Sequence, residues 1–317
     1  MAERVPQAAV VIATRGRETR LAFALEALAA QTLSPEDFEV VVVRDGGVPE
    51  RAAQAPPGPA VRFLTREPAG GPGAARNVGW RATEAPLIAF TDDDCRPAPG
   101  WLEALLGAAG GQETIVQGAT EPDPEERHLL GGLARSQFVD RATGWYETCN
   151  MAYPRELLER LDGFDETFEL AGEDTDLALR ALAAGARSVF EPRALVWHAV
   201  LARHLPAALR DTLRWRSVPR LLRRHPAQRR AIYLGWFWKE SHARLLLAAT
   251  GALVARRRPL AAALLGLPYL ELYLRTYDRT PRGLTRAALD LPARVAVDAL
   301  ETAVTARAAV RERVPVL

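Results

Sequence analysis

The stretch Leu87-Ile88-Ala89-Phe90-Thr91 runs directly into three consecutive carboxylates, Asp92-Asp93-Asp94. A short apolar run bounded by charge reads as a buried strand, so the triplet stands at a strand's carboxyl end. Adjacent carboxylates repel and raise one another's pKa unless a cation neutralises them. Open parallel sheets bind ligands at that edge, where such a cluster suits a hard divalent ion, Mg²⁺ or Mn²⁺, bridging a diphosphate. Taken alone, the same triplet can also form a solvated acidic turn.

Working outward, the N-terminal half alternates short β-branched runs with helical patterns, the mark of an α/β fold with a mostly parallel sheet flanked by helices. Strands are predicted at Ala8–Ala13, Phe38–Val43, Ala60–Thr65 and Leu87–Thr91. Leu21, Leu25 and Leu28 recur at helical spacing between the first two, and 73–82 can carry a further helix. Pro99 opens a helix with Trp101, Leu102, Leu105 and Leu106 as its buried stripe. Glu121–Arg127, charged and holding two prolines, reads as a mobile loop and a candidate lid. Further helices are predicted from Tyr153-Pro154 to Leu161 and over 174–184.

The 317 residues allow one large domain with an appendage, or two domains, and the boundary is placed at residue 200. Cys95 and Cys149 are the only cysteines, too few within one chain for a disulfide scaffold or a thiolate zinc site, which fits a reducing compartment. The first apolar run is too short for a signal-peptide core. Charge is segregated: residues 1–200 hold 19 Lys and Arg against 31 Asp and Glu, a balance of −12, whereas residues 201–317 hold 22 against 8, a balance of +14. The apolar blocks 231–238, 245–255 and 259–270 lie among these arginines, and the longest uncharged runs are 11 and 12 residues. That is well below the ~18 needed to span a bilayer. They suit a helical hairpin around Arg256-Arg257-Arg258, or a place in the membrane interface with the arginines reaching the headgroups, or, most plainly, a soluble helical subdomain packed on the catalytic one. Trp236, Phe237 and Trp238 sit within an apolar block instead of alternating with arginines, which argues against nucleic acid as the partner.

A second acidic cluster follows in Gly163-Phe164-Asp165-Glu166 and Gly172-Glu173-Asp174-Thr175-Asp176. Glu173 and Asp174 fall at a helix N-terminus, where the dipole keeps a carboxylate ionised. Such a group can act as general base for an attacking hydroxyl, and it can equally be a first-turn acidic cluster of structural value. His198, after a strand-like run and Trp197, is either a packed core histidine or a metal ligand.

Taken in order, Val10-Val11-Ile12-Ala13-Thr14, Phe38 to Gly46, Gly73 to Gly79, the Asp92 triplet, Gly163 to Glu166 and Gly172 to Asp176 resemble the family 2 glycosyltransferases. The resemblance covers about residues 8–200 and implies a GT-A fold and inverting transfer from a nucleotide diphosphate sugar to an acceptor hydroxyl. It implies that Thr14, Asp45, Arg76, Asp92 and Asp93 line the nucleotide-sugar site. It also implies that Asp92, Asp94 and His198 hold Mn²⁺ or Mg²⁺, and that Asp174, with Glu173, is catalytic. Arg15-Gly16 and Arg44 depart from the commonest pattern, adding positive charge or removing negative charge near the nucleotide, and bear on the donor's identity more than on the reaction.

Other readings fit less well. A nucleotidyltransferase would show a Gly-rich phosphate loop after the first strand, where Ala13 to Arg17 has one glycine. A dinucleotide dehydrogenase would want G-x-G-x-x-G there. A non-catalytic membrane assembly factor would not need carboxylates at 92, 94 and 174. The sequence therefore predicts a GT-A enzyme whose C-terminal helical region associates with the membrane. It would be cytoplasmic and peripheral on the inner face of the cell membrane, serving a glycan or lipid-linked acceptor in envelope polysaccharide or glycolipid synthesis.

Overall fold

A computed structural model describes residues 5–47, 52–110 and 113–317. The chain divides into two units, residues 1–127 with 136–200, and residues 128–135 with 201–317.

The first unit runs β1 (Ala8–Thr14), α1 (Glu18–Ala29), β2 (Phe38–Asp45), β3 (Ala60–Arg66), α2 (Pro72–Arg81), β4 (Leu87–Asp92), β5 (Cys95–Pro97), α3 (Trp101–Ala109), β6 (Thr114–Pro122), β7 (Asn150–Pro154), α4 (Arg155–Leu161), α5 (Glu173–Ala183) and β8 (Arg187–His198). Its eight strands form a single sheet in the order β3-β2-β1-β4-β7-β6-β8-β5. The pairs β3–β2, β2–β1, β1–β4 and β6–β8 are parallel, whereas β4–β7, β7–β6 and β8–β5 are antiparallel. The sheet is therefore mixed. Its parallel half consists of the four strands predicted from β-branched runs.

Side chains alternate between two buried layers, as strand geometry dictates. Val10, Ile12, Val40 and Val42 pack on Leu21, Leu25 and Leu28 of α1 and on Trp101, Leu102 and Leu105 of α3. Ala9, Val11, Val41 and Val43 face the other layer with Trp80 of α2, Leu157 and Leu158 of α4, and Leu177 and Ala181 of α5. Burial on both faces explains why the central strands read as continuous apolar runs.

Register brings the chemistry to one edge. Ala13 lies opposite Asp92 and Thr14 opposite Arg44, so the carboxyl ends of β1, β2 and β4 finish level. The antiparallel β5–β8 pair sets Cys95 opposite His198 and carries that histidine to the carboxylate triplet. Glu121–Arg127 is not a free flap. Asp123 N–H donates to His198 O at 2.8 Å, Asp123 accepts from Arg96 Nη2 at 2.8 Å, and Glu126 accepts from Val200 N–H at 2.8 Å and pairs with Arg20. Charge that suggested solvent exposure is here used in pairing.

The second unit holds α6 (Leu205–Asp211), α7 (Val218–Arg224), α8 (Glu240–Val254), α9 (Pro259–Leu274) and α10 (Pro281–Glu312). Helices α8 and α9 form the expected hairpin, turning at 255–258. The apolar block 231–238 is instead a tight turn in which Tyr233 pairs with Phe237, with Leu234 and Gly235 at positive φ of 53° and 72°. Among the described residues, no helix is long and apolar enough to cross a membrane.

Candidate active site

Asp93 and Asp94 occupy the tight turn between β4 and β5, and both are buried. Asp93 has no accessible surface. It accepts from Thr14 Oγ1 at 2.6 Å and from Arg17 Nε at 3.2 Å, and Arg17 Nη2 lies 2.5 Å from its second oxygen. Burial pushes its carboxyl up to about 7, a rise that the arginine opposes. Arg17 also pairs with Asp94, so one half-exposed guanidinium spans two carboxylates. Sequence reasoning missed Arg17, although three adjacent acids demand a countercharge and the loop after β1 is the nearest element able to supply one.

Asp92 turns the other way. Arg76, buried on α2, donates through Nη2 to Asp92 at 2.7 Å and through Nη1 to Glu173 at 2.9 Å. Burial disfavours the charged form of Asp92, but the guanidinium wins and holds its carboxyl below the usual range. Asp174 adjoins this bridge at the first turn of α5. Its Oδ1 accepts from the Thr175 N–H at 2.8 Å, and it is only partly buried, unlike Glu173 and Asp176. Burial, followed by the neighbouring Glu173 charge, raises the Asp174 carboxyl far above an ordinary aspartate. Asp176 is fully buried and accepts from Arg180 Nε at 2.8 Å.

Asp94 and His198 converge. His198 Nε2 lies 3.8 Å from Asp94 Oδ1, and these two with Cys95 are close enough to hold one ion. His198 Nδ1 lies 2.8 Å from Ala199 O, and a carbonyl only accepts, so Nδ1 carries a proton and Nε2 is the ring atom turned to Asp94 and placed to ligate an ion. Burial drives the Cys95 thiol well above its ordinary range, so it stays protonated and offers no thiolate. The remaining O and N donors fit a hard or borderline ion such as Mg²⁺ or Mn²⁺.

Asp45 accepts from the N–H groups of Gly70 and Gly71 at 2.8 and 2.9 Å, fixing the chain just before α2. Arg44 is buried against Glu18, with Nη2 3.1 Å from its carboxylate, and lies over the Phe63 ring. Its charge is thus spent inside the fold. Asn77 on α2 accepts from Phe164 N–H at 2.9 Å and from Trp80 Nε1 at 3.0 Å and donates to Phe164 O at 2.9 Å. This clamps the 163–166 segment. Gly163 has φ +66°, and a Cβ there would stand 2.3 Å from Asn77 Oδ1, so only glycine fits.

Strand-end acids, an Arg76 bridge to α5 and a histidine at the end of β8 thus share one edge of a mixed sheet. The glycosyl transferase family 2 model matches residues 9–162, and that of glycosyl transferase family group 2 matches residues 113–274, over half the chain. The chain belongs to the family 2 glycosyltransferases. The pre-mycofactocin glycosyltransferase of Mycobacterium tuberculosis is 34% identical over 141 residues, covering 40% of this chain and 30% of that protein. The succinoglycan biosynthesis protein ExoO of Rhizobium meliloti is 30% identical over 212 residues, covering 61% of this chain and 60% of its own length. The chain therefore spans less than two thirds of either relative. A mannosyltransferase structure from Pyrobaculum calidifontis, in complex with GDP-Man and Mn²⁺, aligns with a TM-score of 0.58 at 19% identity over 94% of this chain and 87% of that one. At that identity the likeness speaks for the fold, which this family 2 member shares as a GT-A architecture.

Proposed function

We propose that this family 2 member is an inverting, divalent-metal-dependent glycosyltransferase that moves a sugar from a nucleotide diphosphate donor onto an acceptor hydroxyl. The observation that carries the reading is the Arg76 bridge, which joins Asp92 at the strand end to Glu173 beside Asp174. It makes one charged cluster of residues far apart in the chain.

Asp94 and His198 would hold Mn²⁺ or Mg²⁺, whereas Asp92, expected as a third ligand, is turned to Arg76; the bound ion would supply electrostatic stabilisation of the departing diphosphate. The acceptor oxygen attacks the anomeric carbon from the face opposite the diphosphate, the bond from that carbon to the phosphate oxygen breaks, and the configuration inverts. Asp174 takes the acceptor's proton, a role suited by its raised pKa and partial exposure. Glu173, locked to Arg76, positions the first turn of α5 and tunes Asp174 through its charge. Thr14, Asp45 and Asp93 hold the strand ends and the loop before α2, framing the donor pocket from behind.

Glycan or lipid-linked acceptors in envelope polysaccharide or glycolipid synthesis agree with the likeness to a succinoglycan biosynthesis protein, and the basic second unit agrees with work at the inner face of the cell membrane. A panel of nucleotide sugars, scored by thermal stabilisation with Mn²⁺ and then by transfer to water or alcohol, tests the reaction. One donor should raise the melting temperature, and EDTA should remove the effect. No stabilisation by any UDP-, GDP- or dTDP-sugar would refute it.

A further inference from the structure

In the second unit, the hairpin of α8 and α9 carries no charged residue over 245–255 or 259–270. Leu246, Leu253, Leu260, Leu264 and Leu267 are all exposed, Leu253 and Leu260 by 86% and 81%. Their spacings are helical: 246 and 253 share one face of α8, and 260, 264 and 267 share one face of α9. The helices meet closely at Gly251, where a Cβ would lie 2.9 Å from Ala262 O. Thr250 Oγ1 donates to Leu246 O at 2.9 Å, so even the one hydroxyl on α8's outer stretch is satisfied within its own helix. Arg256, Arg257 and Arg258 form the turn and are exposed.

We infer that this hairpin lies flat in the headgroup region of an anionic bilayer, leucines toward the acyl chains and the arginine turn among the lipid phosphates. The inference rests on the membrane-side placement proposed above, and it names the surface. Each uncharged arm is about 16–18 Å long at 1.5 Å per residue, against roughly 30 Å of hydrocarbon. An upright hairpin would put three adjacent guanidiniums near the bilayer centre, where charge is costly, whereas lying flat satisfies leucines and arginines together. Charge also selects the occupant. A second copy would set one arginine turn against another, while anionic lipid complements the +14 balance of residues 201–317.

The test is flotation of the full chain, without donor or acceptor, on vesicles of phosphatidylcholine with and without phosphatidylglycerol. Binding is expected with the anionic lipid only. Combining Leu253→Ser, Leu260→Ser and Leu264→Ser should lower partitioning at least about tenfold while leaving thermal unfolding unchanged. Combining Arg256→Ala, Arg257→Ala and Arg258→Ala should abolish the preference for phosphatidylglycerol. Both native cysteines are buried, so a nitroxide on Leu253→Cys or Arg257→Cys reports depth selectively. The label at 257 should sit among the headgroups and that at 253 just below them, at the start of the acyl chains. Wild-type protein remaining in solution, a serine variant that floats normally, a label at 257 near the bilayer centre, or a serine variant altering only self-association would each overturn the inference. Because flotation needs no turnover, its failure would leave the transferase reading intact, and inactive protein that floats would leave the docking intact.

Discussion

Arg76 and Glu173 lie 97 positions apart in the chain and meet at 2.9 Å, with the same guanidinium reaching Asp92 at 2.7 Å. The Glu173 carboxylate is buried, so the pair is poorly screened and losing one partner strands the other. Arg76→Ala should destabilise the protein by about 3–5 kcal/mol in urea unfolding. Arg76→Lys should recover only part of this, since an ammonium lacks the fork that serves two carboxylates. An alanine variant as stable as wild type would show that the bridge does not hold α5 in place.

Asp174 and Glu173 should separate in kinetics. Asp174→Asn should lower turnover by about 10²–10⁴-fold while leaving donor affinity nearly unchanged, because a base acts in the transition state. The Asp174 carboxyl is raised by burial and then by Glu173, so the protonated, inactive form persists above the ordinary aspartate range and the rate should climb with pH. Glu173→Gln removes the second cause and frees Arg76 to act on Asp174. The acidic limb of its pH–rate profile should therefore move to lower pH, and an unmoved limb would detach the profile from this residue.

Metal affinity should respond with opposite signs on the two sides of Asp94. Asp94→Ala and His198→Ala each remove a donor and should weaken Mn²⁺ binding at least about tenfold by calorimetry. Arg17 pairs with both Asp93 and Asp94, so its charge would compete with an ion's for Asp94. Arg17→Ala should tighten Mn²⁺ binding roughly two- to fivefold, in line with a half-exposed ion pair. If Arg17→Ala weakened binding, the guanidinium would be supporting the ion and not competing with it.

Much of this site was legible because its signals are local. The β-branched runs of β1 to β4 announce a parallel core, and the carboxylate triplet, which alone could be a solvated turn, gains its meaning from standing at the end of one of those strands. What the sequence did not reveal depends on contacts made across the fold. β5 is three residues long, β6 is broken by a register shift at Gly118 and Ala119, and β8 carries Pro192 and mostly exposed side chains in its first half. None of them shows a clean period. Asn150 is buried and holds Ala119 O and Ala194 O at 2.7 and 2.8 Å while accepting from Trp101 Nε1 at 2.8 Å, joining three elements through a residue type that reads as a turn. Arg44 shows the converse error. Its charge was read as bearing on the donor's identity, but inside the fold it is paired with Glu18.

The second unit has its own buried charge, and its stability should depend on pH in a defined direction. Glu301 on α10 accepts from Lys239 Nζ at 2.7 Å and from Trp215 Nε1 at 2.8 Å, and His242 Nε2 lies 3.4 Å away. Burial opposes its charge, but His242, Lys239 and Trp215 together hold the carboxyl down to about 2. A depressed carboxyl contributes stability that is complete above its unfolded pKa near 4.5 and is lost as pH falls toward 2. The full contribution is about 3 kcal/mol by linkage. Glu301→Gln should therefore be less stable than wild type at pH 7 in chemical unfolding, and the gap should narrow as pH drops through 4 to 3. If the difference were constant with pH, hydrogen bonding of the neutral side chain, and not its charge, would be what holds α10 in place.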